Sequence, residues 1–294
     1  MERGKINKPN LILTGDWHLC EDTPTCFIGD FQKEQWSSLQ FIKDLQAKFD
    51  CDILMAGDMF NQWKPSPWLL SMTMEYMPKR LHVIYGQHDL PSHSWELREK
   101  SGIYALEKAG KLIVFNGCHY GQEPDYPSYQ YTDSDYMKNT DILVWHHLTY
   151  ITEPYPGATG GNAYDILKKY PYDLIVCGDN HCSFTIEKDG RRLVNTGNLT
   201  RQTAAQIDFK PCVWLWYAES NTVQQVFLPI EEGVVSREHL QVKEERNERI
   251  DAFISKLSGD YKTELSFEAN LEHFFQTNEI KESVKQIIYK SIEA

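Results

Sequence analysis

LHVIYGQHDLP, residues 81–91, begins as a buried strand and then turns abruptly polar. Leu81, Val83 and Ile84 are apolar or β-branched side chains of the kind that suits the core of a sheet. Gly86 allows a tight turn, and an amide, an imidazole and a carboxylate then follow at residues 87–89. A single polar turn is usually only a solvated loop. Recurrence of the pattern at other strand ends would instead indicate an active site along one edge of a sheet.

The same change from apolar strand to polar turn occurs at four other places. LIL at 11–13 precedes TGDWH, ILMA at 53–56 precedes GDMFN, ILVW at 142–145 precedes HH, and LIVC at 174–177 precedes GDNH. Asp16 and His18 are two residues apart, which in extended backbone places both side chains on one face, and Asp179 and His181 repeat this spacing. Carboxylates, imidazoles and amides bind metal ions. The five strand ends therefore predict a metal site at a sheet edge.

Short apolar runs alternate with amphipathic stretches, which indicates an α/β fold. Apolar residues at helical spacing from Trp36 to Phe49 predict a helix between the first two strands, and a second helix is predicted over Trp95–Ala109, closed by Gly110. Residues 119–140 lack periodicity and are expected to form a surface excursion, and the Gly- and Pro-rich residues 153–162 a mobile loop. Strands are predicted at 11–13, 53–56, 81–85, 112–115, 142–145, 174–177, 193–195 and 213–217.

The strand pattern ends near residue 225, which predicts a catalytic domain over 1–225 and a helical region over 226–294. Two one-sided helices are expected in the second region. They could dock on the main domain or form a small capping or partner-binding module. Their apolar positions are Ile250, Phe253, Ile254 and Leu257 for the first and Ile280, Val284, Ile287 and Ile288 for the second, with Leu271, Phe274 and Phe275 between the two helices.

Net charge, apolar runs and cysteine content indicate which binding partners and which cellular compartment to expect. A net charge of -12 and a pI near 5.3 disfavour bulk electrostatic binding to nucleic acid, although bound metal ions could supply the positive charge that a phosphate substrate needs. No apolar run approaches the roughly 18 residues that a membrane helix requires, and no export signal is visible. Seven cysteines without a C-x-x-C pair favour a reducing, cytoplasmic location.

The order of the motifs resembles that of the calcineurin-like metallophosphoesterases, whose pattern is D-x-H, G-D-x-x-D/N, G-N-H-D/E, a lone His and G-H-x-H. The resemblance covers about residues 10–205. Within that superfamily the sequence is most similar to the SbcD-type DNA-repair exonucleases, through GDMFN, through the LPSHS that follows GQHD, and through VNTGNLTR, which resembles the family's N-P-G-S turn. The implied fold is a two-sheet β-sandwich flanked by helices, with a small helical C-terminal region.

The resemblance further implies two divalent metal ions bridged by Asp58. His146 is preferred to the adjacent His147 as a ligand because it directly ends its strand, with His147 kept as the alternative. The implied ligands are Asp16, His18, Asp58 and His181 for the first ion, and Asp58, Gln87, His146 and Asp179 for the second.

His88 is implied to be the catalytic imidazole, oriented by Asn61, with Asp89 as a further candidate for that role. The sequence departs from the family pattern at Gln87, where the family has Asn, and at Asp179, where it has His. Both departures fall on the second ion and make its shell richer in oxygen, which favours Mn²⁺, with Mg²⁺ as the alternative.

These residues predict metal-dependent phosphodiester hydrolysis, with DNA as the first-choice substrate of an exonuclease. One alternative is a phosphodiesterase or phosphatase that acts on a nucleotide or another small molecule, which the acidic charge favours. A second alternative is a non-catalytic binding module with a degenerate second metal site, suggested by Gln87 and Asp179.

The expected partners follow from the same resemblance: DNA, an SMC-like ATPase subunit docked through the C-terminal helices, and a second copy in a homodimer, but no membrane. Basic and aromatic side chains near the metals would discriminate DNA from a small substrate. Each of them could equally be an ordinary surface residue. The candidates are Arg201, His93 and His147 as substrate contacts, Lys64, Arg191 and Arg192 as further phosphate contacts, and Tyr126, Tyr129 and Tyr131 as stacking platforms.

Overall fold

The structure, a computed structural model, describes residues 8–124, 129–133, 138–238, 240, 247, 249–251 and 267–292. The chain divides into two compact units, residues 1–236 and 237–294, whereas the sequence places the division near residue 225. The later boundary has a packing reason, because Val234 and Val235 lie against Phe27 and Phe31, and Phe27 forms a β-bridge with Val235.

Two sheets form the centre of the first unit, and their strands come from distant parts of the chain. The first sheet contains β1 (Leu11–Thr14), β2 (Asp52–Met55), β3 (Leu81–Val83), β4 (Ile113–Val114), β12 (Cys212–Tyr217) and β13 (Thr222–Phe227). The second contains β5 (Tyr129–Asp133), β6 (Lys138–His146), β9 (Leu174–Gly178), β10 (Phe184–Lys188) and β11 (Arg191–Asn195), and β7 (Thr149–Tyr150) pairs with β8 (Gly161–Asn162).

Parallel pairing dominates the middle of both sheets. The first sheet has the order β13-β12-β1-β2-β3-β4, with β1 to β4 parallel and β12 and β13 antiparallel at one edge. The second has the order β10-β11-β9-β6-β5, in which β6, β9 and β11 are parallel. Parallel strands bring their carboxyl ends to one edge of a sheet, and ligand sites in such folds lie at that edge.

Successive side chains along each strand point to opposite faces of the sheet and pack in different layers of the core. Leu11, Leu13 and Leu54 belong to the core between the two sheets, whereas Ile12 and Ile53 belong to the core between the first sheet and its helices. A third core joins the other face of the second sheet to a helix. The predicted α/β sandwich flanked by helices is therefore confirmed. The helices of this unit are α1 (Phe31–Phe49), α2 (Pro67–Tyr76), α3 (Gly102–Lys108) and α4 (Ala163–Lys169).

Three sequence predictions about elements need correction. The helix predicted over Trp95–Ala109 is instead a 3-10 segment, Trp95–Lys100, followed by α3, because the Ser101 hydroxyl accepts a hydrogen bond from the Tyr104 N–H (3.2 Å) and starts a new helix there. Residues 119–140 include β5 and the start of β6 rather than only a surface excursion. The loop predicted over 153–162 ends in the short strand β8, and the strands β7, β10 and β13 and the helices α2 and α4 were not predicted.

The second unit contains two described helices, α5 (Phe267–Thr277) and α6 (Glu282–Ile292). Leu271, Phe274 and Phe275 lie on a helix of their own and pack with Ile280 and Ile288. In the predicted first helix, Phe253, Ile254 and Leu257 lie outside the described residues. A search of the described part of the chain finds no helix with the length and hydrophobicity needed to cross a bilayer.

Candidate metal centre

The polar residues that follow the strands converge at one edge of the two sheets. Asp16 and His18 follow β1, and Asp58 follows β2, in the first sheet. His146 ends β6, and Asp179 follows β9, in the second. Backbone hydrogen bonds join the loops of the first sheet, with His18 N–H donating to Asp58 O (3.0 Å) and Asp16 N–H to Gly57 O (3.0 Å).

Four of the predicted ligand residues have left-handed rather than extended backbone, and this conformation directs their side chains into the site. Asp16, His18 and Asp58 have φ of 47°, 45° and 53°, and Asp179 has φ of 79°. The predicted extended D-x-H geometry is therefore wrong, although both D-x-H pairs still reach the site. Each non-glycine residue in this region costs about 1–2 kcal/mol, and such strain concentrates at functional sites.

Two glycines allow the loops to approach closely enough. A Cβ at Gly86 would overlap the Asp58 carboxylate, and one at Gly57 would lie 2.5 Å from His146 Nδ1. Gly57 also has φ of 91°, which side chains rarely tolerate. Both positions therefore require glycine for the ligand loops to pack.

Potential ligand atoms form three overlapping groups, in each of which the atoms lie within 4.8 Å of one another. His18 Nε2 lies 3.2 Å from His181 Nε2 and 3.6 Å from Asp58 Oδ2. Two imidazole nitrogens and two carboxylates thus face one small volume, as the first predicted ion requires. The groups are Asp16 with His18 and His181, His18 with Asp58 and His88, and Asp16 with Asp58 and His146.

Asp58 has the environment expected of a bridging ligand. It is fully buried; its Oδ1 accepts a hydrogen bond from the His88 N–H (2.9 Å), whereas its Oδ2 has no hydrogen-bond partner among the described residues. Oδ2 lies between His18 Nε2 (3.6 Å) and His146 Nε2 (3.4 Å), one nitrogen from each predicted ion site. A buried carboxylate oxygen without a partner is costly. The donor set therefore fits divalent ions on both sides of Asp58.

The second predicted site is linked through Gln87. Gln87 Oε1 lies 2.8 Å from His146 Nε2, and Gln87 Nε2 donates to Asp179 Oδ1 (2.6 Å). His146 Nδ1 lies 2.6 Å from Ala56 O, so both of its ring nitrogens face oxygen acceptors. The Asp179 N–H donates to Asp16 Oδ1 (3.0 Å), which connects the two sites. Gln87 and Asp179, the two departures from the family pattern, are therefore in direct contact. Of the two adjacent histidines, His146 rather than His147 faces Asp58.

The pKa shifts reflect burial and the crowding of charges. Burial lowers the pKa of His18 to about 3 and also lowers that of His181, so both imidazoles are neutral near pH 7 and can bind a metal. Burial raises the pKa of Asp16 well above its ordinary value. Burial acts against ionisation of Asp58 and His146 as well, but their mutual attraction outweighs it: the pKa of Asp58 is lowered and that of His146 is raised to about 10.

His88 lies beside the first ligand group, with its ring in edge contact with His18 at a centroid distance of 4.9 Å. Its Nδ1 lies 2.9 Å from the backbone carbonyl of Asn61, so the Nδ1–H donates there and Nε2 faces away from it. The predicted orienting role of Asn61 is therefore carried by its main chain in this structure.

Asp89 does not contact the His88 ring through any recorded hydrogen bond among the described residues. Its buried carboxylate accepts from the N–H groups of Met59 (3.3 Å), Phe60 (3.2 Å) and Gly86 (3.0 Å). Burial, helped by the nearby Asp58, raises its pKa to about 7, against the effect of these N–H donors. Asp89 therefore joins the two loops that carry Asp58 and His88, which corrects its predicted role.

The arginines predicted to contact phosphate are either buried in an ion pair or placed at the start of β11. Arg201 is buried and paired with Glu34, with Nη2 2.8 Å from Oε2, and donates to the carbonyl of Glu231 (2.7 Å). Arg191 and Arg192 stand at the start of β11, whereas the metal ligands follow the far ends of the parallel strands. Arg192 pairs with Glu187 (2.6 Å). In this structure the three guanidinium groups therefore contact protein acceptors, with Arg191 Nη1 donating to Tyr170 O (2.9 Å), and a phosphate role for them stays a prediction.

The predicted aromatic platforms are also displaced. Tyr129 packs against His82 (5.6 Å) and Phe115 (6.1 Å), and Tyr131 against Trp216 (5.3 Å), all at or near the inner core. Tyr126 lies outside the described residues. Lys64 is exposed on the loop after β2.

His93 and His147 lie closer to the predicted second ion. His147 stacks on Trp145 (3.9 Å) and lines a cleft of about 220 Å³ that also contacts His146 and Asp179. His93 lies 5.8 Å from Tyr120, another residue of the cleft. Sequence reasoning missed Tyr120, because its only signal was its place among the tyrosines of residues 119–140.

Comparison with known proteins settles the family. Residues 9–183 match the family model described as calcineurin-like phosphoesterase, which spans more than half of the chain. The chain belongs to the calcineurin-like phosphoesterases. Membership supports metal-dependent phosphoester hydrolysis at the site described above. A search of curated protein sequences found no match.

Several solved structures are similar in part. A protein described as a novel archaeal phosphodiesterase is 12% identical, covers 74% of this chain and 99% of its own, and has a TM-score of 0.42. Vacuolar protein sorting 29 from Cryptosporidium parvum is 14% identical, with 75% and 97% coverage and a TM-score of 0.34. A putative 5'-nucleotidase from Staphylococcus aureus is 11% identical, with 81% and 58% coverage and a TM-score of 0.42.

Proposed function

We propose that this protein is a two-metal phosphodiester hydrolase whose substrate is DNA. The observation that carries the hydrolytic proposal is the buried Asp58 carboxylate, whose Oδ2 makes no hydrogen bond among the described residues and lies 3.6 Å from His18 Nε2 and 3.4 Å from His146 Nε2. Two divalent ions in such a site would neutralise charge on the phosphate and lower the pKa of the attacking water. Mn²⁺ is the proposed ion, with Mg²⁺ as the alternative, because carboxylate and amide oxygens dominate the second site.

The chain's own residues supply positioning and a proton. His88 is proposed to donate a proton to the leaving oxygen, and its Nδ1–H···O=C bond to Asn61 fixes the ring so that Nε2 can carry that proton. Asp89 holds the loops of Asp58 and His88 at a fixed separation. General acid catalysis of this kind contributes on the order of 10²–10⁴ in rate.

DNA as the substrate, and exonucleolytic cleavage, rest on the similarity of GDMFN and VNTGNLTR to the SbcD-type nucleases. The same similarity supports an SMC-like ATPase partner and a homodimer as further proposals. A cytoplasmic location is also proposed: the seven cysteines all lie in the described part of the chain, and no disulfide joins any two of them there.

A small phosphodiester, such as a nucleotide, is the second candidate. One observation favours it: the arginines predicted to contact a DNA backbone are buried or stand at the opposite sheet edge. The net charge of -12 also favours a small substrate over polyanionic DNA. The third candidate, a binding module without catalysis, remains an outcome of the test below.

The test compares four substrates with Mn²⁺, Mg²⁺ or Zn²⁺: single-stranded DNA, double-stranded DNA, bis-p-nitrophenyl phosphate and a cyclic nucleotide. The matched control is His88→Ala, which removes the proton donor but leaves the predicted ligands in place. Release of mononucleotides from a DNA end, lost in His88→Ala, would support the nuclease. Turnover of only the small diesters would support the second candidate, and no turnover by a metal-loaded protein would support the binding module.

A further inference from the structure

A preformed cleft opens beside the second predicted metal site. It is about 220 Å³ in volume, and the predicted metal ligands His146 and Asp179 are among the residues that line it. Tyr120 and His147 contribute aromatic rings to its walls. A group attached to a phosphate at the metal ligands would be next to this space. The cleft is smaller than the roughly 300–1,000 Å³ of sites for drug-sized ligands, so it suits a single ring system.

Contacts outside the cleft hold its walls in place. The His147 ring lies on Trp145 at 3.9 Å with an interplanar angle of 6°, and Trp145 Nε1 donates to the carbonyl of Gln122 (3.1 Å). This hydrogen bond ties the segment that carries Tyr120 to the end of β6. The Gly161 N–H donates to Leu148 O (2.8 Å), which joins Leu148 to the segment that carries the lining residues Thr159 and Gly160. These contacts connect the segments that line the cleft, and preorganisation of this kind lowers the entropic cost of binding.

Tyr120 offers a ring that is still accessible. Its side chain is 36% exposed, and its ring centroid lies 5.8 Å from that of His93 and 6.4 Å from that of His146, both in edge geometry. Ser92 and His93 have consecutive left-handed backbone, with φ of 51° and 55°, a strained arrangement that places His93 beside Tyr120. Neither neighbour is stacked flat on the Tyr120 ring, and the exposed part of the residue is accessible to a ligand.

Beyond the metal ligands, the lining of the cleft offers no cationic side chain to a second phosphate. No Lys or Arg lines it within the described part of the chain, and Glu123 is among its lining residues. The Glu123 carboxylate accepts a hydrogen bond from the Tyr170 hydroxyl (2.9 Å), and Lys169 Nζ lies 4.0 Å from it. The lining therefore suits an uncharged aromatic ring better than a second phosphate held away from the metal ligands.

We propose that this cleft binds the nucleobase of the nucleoside attached to the scissile phosphate, and that Tyr120 stacks on that base. The proposal rests on the proposed phosphodiester hydrolysis and deepens it by naming the substrate class as a nucleoside phosphodiester. Tyr120 acts as a specificity residue: it contacts the base, and it takes no part in breaking the P–O bond. Because no Lys or Arg of the described residues lines the cleft to hold a further phosphate, we expect the nucleoside that it binds to be a chain terminus or a free nucleotide.

The test uses two substrates with the same leaving group, the p-nitrophenyl ester of thymidine 5′-phosphate and methyl p-nitrophenyl phosphate, with the full chain and Mn²⁺. The readout is the ratio of their kcat/KM values. Tyr120→Ala should lower the ratio about 5- to 150-fold, the loss expected for one base–aromatic stack. Tyr120→Phe should preserve the ratio because it keeps the ring. Tyr104→Ala, on α3 and outside the cleft, is the matched control and should also preserve it.

Outcomes of this experiment separate the two proposals. A wild-type ratio near one, or a ratio that Tyr120→Ala does not change, would overturn the base-binding cleft while leaving hydrolysis intact. If neither ester is hydrolysed, the proposed function fails, and calorimetric titration with thymidine 5′-monophosphate then decides. Binding weakened about 5- to 150-fold by Tyr120→Ala but not by Tyr104→Ala would support the cleft, and equal or absent binding would overturn it.

Discussion

Asp89→Ala should destabilise the first unit by about 3–5 kcal/mol. The carboxylate accepts from three buried N–H groups, on Met59 (3.3 Å), Phe60 (3.2 Å) and Gly86 (3.0 Å). Each buried N–H without a partner costs about 1–3 kcal/mol, and two of the three distances lie at the long end of the hydrogen-bond range, so the lower part of that interval applies. A loss of this size is a large fraction of a typical 5–15 kcal/mol stability.

Asp89→Asn is the matched control for this prediction. Its amide oxygen can replace Oδ2, which accepts from Met59 and Gly86, while its NH₂ faces the Phe60 N–H, so the expected cost is about 1–3 kcal/mol. Urea unfolding of the metal-free protein measures both variants, with an unchanged m-value required for a two-state comparison. An Asp89→Ala variant within about 0.5 kcal/mol of wild type that nevertheless lost turnover would refute the loop-joining role. Asp89 would then act on the His88 imidazole directly.

Four further predictions concern the metal centre and the boundary of the catalytic unit. His88→Ala should lower turnover by about 10²–10⁴ while both ions remain bound; a crystal of this variant without metal would make His88 a ligand. Gln87→Asn combined with Asp179→His should shift activation from Mn²⁺ towards Zn²⁺, and unchanged metal preference in a titration would contradict the oxygen-shell argument. The pKa of His146 is raised to about 10, so a divalent ion must displace its proton and metal affinity should rise with pH. Calorimetry in two buffers should show release of about one proton near pH 8. Truncation after Ser236, where the first unit ends, should leave metal binding intact, and a folded fragment that binds none would show that the second unit contributes ligands.

Much of this fold could be predicted because its central strands are short, apolar and bounded by glycine. The predicted strand at 174–177 lies within β9, Leu174–Gly178, and the run at 213–217 lies within β12, Cys212–Tyr217. Edge strands were harder, because β10 carries the exposed residues Glu187 and Lys188 and lacks a continuous apolar run. The 3-10 segment before α3 was not predicted because its apolar residues have the spacing of an α-helix. Only the Ser101 cap, where α3 begins, separates this segment from α3.

Only some features of the candidate site could be predicted from the sequence. Proximity of the ligands could be predicted because parallel strands end at one edge, but their left-handed backbone could not, since Asp16 and His18 are not residue types that require positive φ. The burial of Arg201 could not be predicted, because a charged residue after a turn is usually exposed. Its partner Glu34 is distant in sequence, on α1, and only the tertiary structure brings the two together.

The most direct test of the central claim is metal analysis, by elemental analysis and anomalous diffraction, of the full chain saturated with Mn²⁺ and of its Asp58→Asn variant. A shared bridging carboxylate predicts two ions in the wild type and depletion of both in the variant, because Asp58 Oδ2 lies between His18 and His146. Asp16→Asn is the comparison, and it should deplete the first site more than the second. A wild type with only the Asp16, His18, Asp58 and His181 site filled, or an Asp58→Asn variant with either site fully occupied, would contradict the two-metal centre.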